Sequence, residues 1–262
     1  MTFHIRLFAG LADELGRPSI DITLTRDPGE KSVTVQDLLK EIGGQFPGAR
    51  SLLAHCFLAK NHAYAAPDEL VAETDELALI PPVSGGGGEE PQAADEASEA
   101  ARYVLTRDPI EPAELLHKVT HPDCGATLAF IGTTREHTHG VRTVLLEYEA
   151  YEPMAVSVME TIGAEMEARW PGCRCAMTHR LGPVGIGEIS LVIAVSTPHR
   201  ADCYEASRYA IERVKQILPV WKKEIGEDGA EWKGYISPSG GREWNPLDLP
   251  EGGNGSVGKS RM

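Results

Sequence analysis

Residues 89–100, EEPQAADEASEA, hold acids, no base and no large apolar side chain. A stretch of that composition cannot bury a core and stays solvated. It follows PPVSGGGG at 81–88, whose four glycines lack a Cβ. On composition alone this seam is a flexible linker, and it divides the chain into two compact units. The expected division is a first unit over 1–86, an acidic linker over 87–100, a second unit over 101–245 and a turn-rich, disordered tail over 246–262. The glycines also carry a chemical possibility. Two residues without a Cβ thread a narrow channel and leave the last carbonyl open to attack.

Patterning within the first unit is mixed. Phe3-His-Ile5-Arg-Leu7 and Ile20-Asp-Ile22-Thr-Leu24 alternate as strands do. Thr34 suits an N-cap, with Asp37 at the third position of a capping-box-like start. Val35, Leu38, Leu39, Ile42 and Phe46 then follow helical spacing until Pro47 stops them. Cys56–Ala59 and Leu77–Ile80 read as short strands. The order strand, strand, helix, strand, strand is that of a β-grasp (ubiquitin-like) domain.

In the second unit the pattern predicts a helix at Glu111–Lys118 and strands at Ala126–Ile131 and Thr143–Ala150. Met154, Val158, Ile162 and Met166 recur every four residues behind Pro153 and predict a helix. Strands follow at Cys175–Arg180 and Ile189–Thr197, then a long helix from Pro198 to about Leu218, ended by Pro219. The GPVGIG stretch at 182–187 reads as a turn without a nucleotide-binding fingerprint.

A net charge of −14 argues against a nucleic-acid backbone as partner, since that affinity comes from Lys and Arg. No apolar run reaches the roughly 20 residues of a membrane helix, and MTFHIRLFAG lacks a secretory pattern. The five cysteines show no C-x-x-C pair and read as reduced thiols of a cytoplasmic protein. No metal site is expected: His137 and His139 find no third ligand in the pattern.

Three places carry candidate chemistry. Thr197 fits an N-cap and Pro198 the first helical position, which puts His199 and Arg200 in the first turn. Cations there oppose the helix dipole unless an anion such as a phosphate binds; the alternative is a solvated Arg200 paired with Asp202 or Glu205. Lys215 and Lys222 flank the helix end in VKQILPVWKKE. Trp221 and Lys223 beside Lys222 favour a neutral, nucleophilic amine, whereas ordinary lysines at a helix C-terminus simply complement its dipole. Arg135, in the polar FIGTTREH loop, suits a phosphate or a carboxylate, or merely faces water.

Taken together these segments resemble molybdopterin synthase with its small and large subunits fused. FHIRLFAG, DELALIPPVSGG and the Gly85-Gly86 pair are similar to the small subunit, a ubiquitin-like sulfur carrier. FIGTTREH, LEYEAYEPMA, HRLGPVGIGE, STPHRADCYEA and LPVWKKE followed by GAEW are similar, in order, to the large subunit. The resemblance implies an α+β chain: an N-terminal β-grasp domain joined to a C-terminal α/β-hammerhead-type domain. It implies a sulfurtransferase that converts cyclic pyranopterin monophosphate to the molybdopterin dithiolene, with no tightly bound cofactor. Sulfur would ride as a thiocarboxylate on the terminal glycine, loaded by an adenylating (E1-like) enzyme and a sulfur donor. Lys222 and Lys215 match the family's catalytic lysines, and Arg135, His199 and Arg200 its pterin and phosphate pocket. A homodimer through the large-subunit domain is also implied.

One departure matters. Gly86 is followed by Gly87 and Gly88, and an internal peptide carbonyl cannot become a thiocarboxylate. The expectation is cleavage after Gly86, or after Gly88. The alternatives are an inactive tethered precursor, or a sulfur-relay or modifier module with a non-catalytic docking domain.

Overall fold

The computed structural model describes residues 1–24, 32–82, 101–138, 141–227 and 229–233. Gly85, Gly86, the 87–100 linker and the 246–262 tail lie outside the described residues.

The first unit contains β1 (Thr2–Leu7), α1 (Ala9–Leu15), β2 (Ser19–Thr23), β3 (Val33–Thr34), α2 (Val35–Gln45), a 3-10 turn at Pro47–Ala49, α3 (Arg50–Leu53), β4 (Phe57–Lys60), β5 (Ala63–Tyr64), β6 (Leu70–Val71) and β7 (Leu77–Ile80). Its main sheet has the order β2-β1-β7-β4-β5. The central pair β1 and β7 is parallel, the hallmark of a β-grasp sheet. Alternation in β1 turns Phe3, Ile5 and Leu7 onto α2, whose Val35, Leu38 and Ile42 complete a closed core. The capping box forms: Thr34 Oγ1 accepts from the Asp37 amide at 3.2 Å, and the Asp37 carboxylate accepts from the Thr34 amide at 3.1 Å.

The second unit contains β8 (Tyr103–Thr106), α4 (Pro112–Val119), β9 (Ala126–Thr133), β10 (His137–Thr138), β11 (Val141–Ala150), α5 (Glu152–Arg169), β12 (Arg174–Arg180), β13 (Gly182–Gly185), β14 (Ile189–Thr197), α6 (Arg200–Ile217), β15 (Val220–Gly226) and β16 (Gly229–Lys233). One sheet runs β8-β12-β14-β9. Strand alternation gives it two apolar faces. Leu191, Ile193 and Val195 face α5 and α6, while Val192 and Ala194 face α4. A second sheet runs β10-β11-β15-β16, with β13 also on β11. Among the described residues no helix is long and apolar enough to cross a membrane.

Two local expectations are corrected. Helix α6 begins at Arg200, and its N-cap is His199 in extended conformation rather than Thr197. The Thr197 hydroxyl donates to the His199 carbonyl at 2.8 Å, and the N-cap His199 makes no side-chain cap bond. GPVG is strand β13, not a turn: it pairs with Leu145–Tyr148 of β11, and only the residues after it turn back.

Strand β8 is pinned by a contact at Gly163 of α5. A Cβ there would overlap the Tyr103 hydroxyl and lie 2.6 Å from Tyr103 Cζ. Alanine normally gains about 1 kcal/mol over glycine inside a helix. Overpacking costs about 1–3 kcal/mol and should win. Gly163→Ala is therefore expected to lower the melting temperature, measured by thermal denaturation of the full chain.

The units share an apolar seam. Phe8 stacks on Tyr151 with ring centroids 4.9 Å apart and on Trp221 at 5.3 Å. Ala59, Ala78 and Ile80 of the first unit join the same buried cluster. Polar contacts frame it. Tyr64 Oη donates to the Ile217 carbonyl at 3.1 Å, Tyr151 Oη to Glu76 at 2.6 Å, and Trp232 Nε1 to Asp13 at 2.9 Å.

Candidate active site

Helix α6 ends at Ile217, and Pro219 turns the chain straight into β15. That turn sets Lys215 of the last helical turn beside Lys222 of the strand. Strand β15 pairs antiparallel with β11, placing Lys222 opposite Tyr148, and the β15–β16 hairpin places Lys233 opposite Lys222 on the other side. The loop after β9 brings in Arg135. A cavity of about 500 Å³ lies between these elements. Arg135, Lys215, Lys222 and Lys233 line it, together with Glu224, Tyr148, His179 and Ser190.

Four cations around one cavity in a chain of net charge −14 create a local positive field, suited to an anionic ligand. The field acts on its own members. Burial holds the Lys222 ammonium below its ordinary value, and Lys215, Arg135 and Lys233 push in the same direction. Glu224 opposes them. The Glu224 carboxylate accepts from the Thr143 hydroxyl and lies 3.9 Å from Lys233.

A lysine with a depressed folded pKa binds fewer protons folded than unfolded, so this group's contribution to stability rises with pH between the depressed value and 10.5. Its neutral amine, the form that can act as nucleophile or base, appears at lower pH than in free lysine. Single-turnover rates that depend on a neutral Lys222 should rise with pH with a midpoint below 10.5. Glu224→Gln removes the neighbour that favours the cation and should move the midpoint lower still. A midpoint unchanged in that variant would contradict the assigned coupling.

The cavity thus brings Arg135, Lys215 and Lys222 together. His199 and Arg200 stand exposed at the opposite end of α6. Fifteen residues of helix separate Arg200 from Lys215, about 22 Å. Within one chain they do not line the cavity. Tyr148, His179, Ser190 and Lys233 line it without having been singled out from the sequence. Lys233 had a legible signal, since Gly226 and Gly229 close a short hairpin whose register carries it to Lys222.

The first unit touches one residue of the cavity wall. Trp221, the neighbour of Lys222, donates its indole N–H to the Pro81 carbonyl at 3.2 Å. Pro81 directly follows β7, so the end of the carrier-like sheet is held at the cavity wall.

Comparison with known proteins agrees with this architecture. The MoaE protein family matches residues 105–217, and the ThiS family matches residues 21–86. The molybdopterin synthase catalytic subunit of Bacillus subtilis is 56% identical over 133 residues, covering 51% of this chain and 85% of that protein. Its counterpart from Halalkalibacterium halodurans is 53% identical over 133 residues, with the same shares covered. The crystal structure of molybdopterin synthase from Staphylococcus aureus superposes with a TM-score of 0.51 at 44% identity, covering 52% of this chain and 100% of that one. The chain belongs to the molybdopterin synthase catalytic subunit (MoaE) family, with a ThiS-family domain fused ahead of it.

Proposed function

We propose that this chain is a molybdopterin synthase carrying its own sulfur donor domain. The observation that carries the reading is the Trp221–Pro81 hydrogen bond beside Lys222. Gly86 lies five residues beyond Pro81, a reach of at most about 17 Å when extended. A glycine terminus at that distance is able to enter the cavity lined by Lys222, Lys215 and Arg135.

In this reading the substrate is cyclic pyranopterin monophosphate, and the cationic wall holds its phosphate. The Gly86 thiocarboxylate delivers one sulfur and is left as a carboxylate. Two deliveries make the dithiolene. Lys222, as neutral amine, acts as nucleophile or as acid–base group on the acyl or substrate intermediate. Lys215 and Arg135 offset the negative charge that develops. His199 and Arg200 serve the pocket of a second copy, in a homodimer formed through the MoaE domain. An adenylating enzyme and a sulfur donor load the carrier. No tightly bound cofactor takes part.

Loading requires a free glycine carboxylate, so the chain is cut after Gly86, or after Gly88. Intact mass spectrometry of the chain purified from its own cells tests this. Two fragments divided after Gly86, the smaller heavier by one oxygen-to-sulfur exchange, are expected. A single uncut chain that still forms dithiolene when given sulfur donor and adenylating enzyme would overturn the processing step.

A further inference from the structure

His179 has no part in the chemistry described so far, yet it lies in the wall of the cavity. It is 6% exposed and sits on β12, with its ring edge-on to Tyr148 at 5.0 Å between centroids. Tyr148 is the register partner of Lys222, so His179 stands one ring behind the catalytic strand. Its Nδ1 lies 2.9 Å from the Arg180 carbonyl. A carbonyl oxygen only accepts, so Nδ1 carries the proton and Nε2 is left with a lone pair. Burial pushes the ring pKa down to about 4 against a small opposing effect of the Arg180 carbonyl, so the imidazole stays neutral across the physiological range.

Apart from the Thr133 hydroxyl, the other polar side chains described around the cavity offer different chemistry. Arg135, Lys215 and Lys233 are donors without acceptors, and the lone pair of a neutral Lys222 amine is committed to the reacting centre. The Ser190 hydroxyl donates to the Gly132 carbonyl at 3.3 Å, and Tyr148 hydrogen-bonds Ser190. Glu224 is engaged by Thr143 and Lys233. A cationic wall of this kind recognises a phosphate and rejects the N–H edge of a heterocycle, whose donors need acceptors. We propose that Nε2 of His179 accepts a hydrogen bond from a ring N–H or amino group of the bound pterin, making His179 a specificity-determining residue of the cavity. The assignment rests on the pterin reading above and divides the cavity into a cationic phosphate side and a neutral, accepting ring side.

The test is calorimetric titration of the full chain with cyclic pyranopterin monophosphate and, separately, with inorganic phosphate. His179→Met removes the acceptor at similar volume, and His179→Gln keeps one near the Nε2 position. His179→Met is expected to weaken pterin binding by roughly ten- to a hundredfold, as expected for leaving donors unpaired in a buried site, and to leave phosphate binding unchanged. His179→Gln should restore most of the loss. Unchanged pterin binding in His179→Met, or equal weakening of both ligands, would overturn the assignment. If His179→Met does not fold, nitrogen NMR of the histidine-labelled native chain decides. The unprotonated Nε2 resonance should shift on adding the pterin and not on adding phosphate, and a resonance unmoved by the pterin overturns the proposal. A native chain that binds no pterin sinks the reading of the cavity and this assignment with it, whereas normal native binding with an indifferent His179→Met sinks this assignment alone.

Discussion

Lys222→Ala is expected to lower single-turnover dithiolene formation by roughly 10³-fold, within the range of a lost acid–base or nucleophilic group. The measurement uses a carrier already loaded as thiocarboxylate, so that loading does not limit the rate. The fold should not suffer, because burial already disfavours the Lys222 ammonium and its removal relieves that cost. Lys222→Arg separates two explanations. Arginine keeps the positive charge and never gives it up under these conditions. If Lys222 merely holds an anion, arginine recovers much of the rate. If a neutral amine is needed, arginine is as poor as alanine, and that is the expected outcome. Lys215→Ala should reduce the rate less, since Arg135 and Lys233 still supply cations around the cavity.

The second large effect belongs to Phe8. It is 6% exposed and sandwiched between Tyr151 and Trp221 of the MoaE domain. Its packing is with that domain's cluster, whereas the first unit's own core is built from Phe3, Ile5, Leu7, Leu38, Leu79 and their neighbours. Phe8→Ala should therefore leave the carrier folded and undo its docking. Truncating a buried phenylalanine costs about 3–5 kcal/mol. With carrier and MoaE domain prepared as separate chains, the dissociation constant should rise more than about 100-fold. Raising the carrier concentration should restore sulfur transfer, because Lys222, Lys215 and Arg135 are unchanged. Wild-type affinity in this variant would mean that the stack does not hold the domains together.

Much of the fold was legible because its signals are local. The Thr34–Asp37 capping box, the alternation in β1 and β14 and the four-residue spacing in α5 each lie within a short window, and each formed. Strand β15 was not legible. VWKKEIG places three charged residues in a row, and it becomes a strand because β11 and β16 flank it on both sides. Strand β13 was hidden for the same reason, its glycines and proline reading as a turn until β11 supplies the partner. In the cavity, the reactive residue types drew attention in sequence, but His179 did not. A lone histidine in an apolar strand looks like core, and its role comes from a wall assembled by β9, β11, β12 and β15. The docking surface was equally hidden, since Phe8, Tyr151 and Trp221 meet only through tertiary structure.

Strands β7 and β8 stand on either side of the interdomain stretch, and both are tied down. Strand β7 is bonded on both edges, by β1 and by β4. Strand β8 runs parallel to β12, with Tyr103 seated over Gly163. A cut beyond Pro82 breaks none of the strand pairings described for β7 and β8. Continuity of the polypeptide then governs how often the two halves meet, not whether either half survives, so a protease acting there changes encounter frequency and chemical competence while leaving both folded bodies whole.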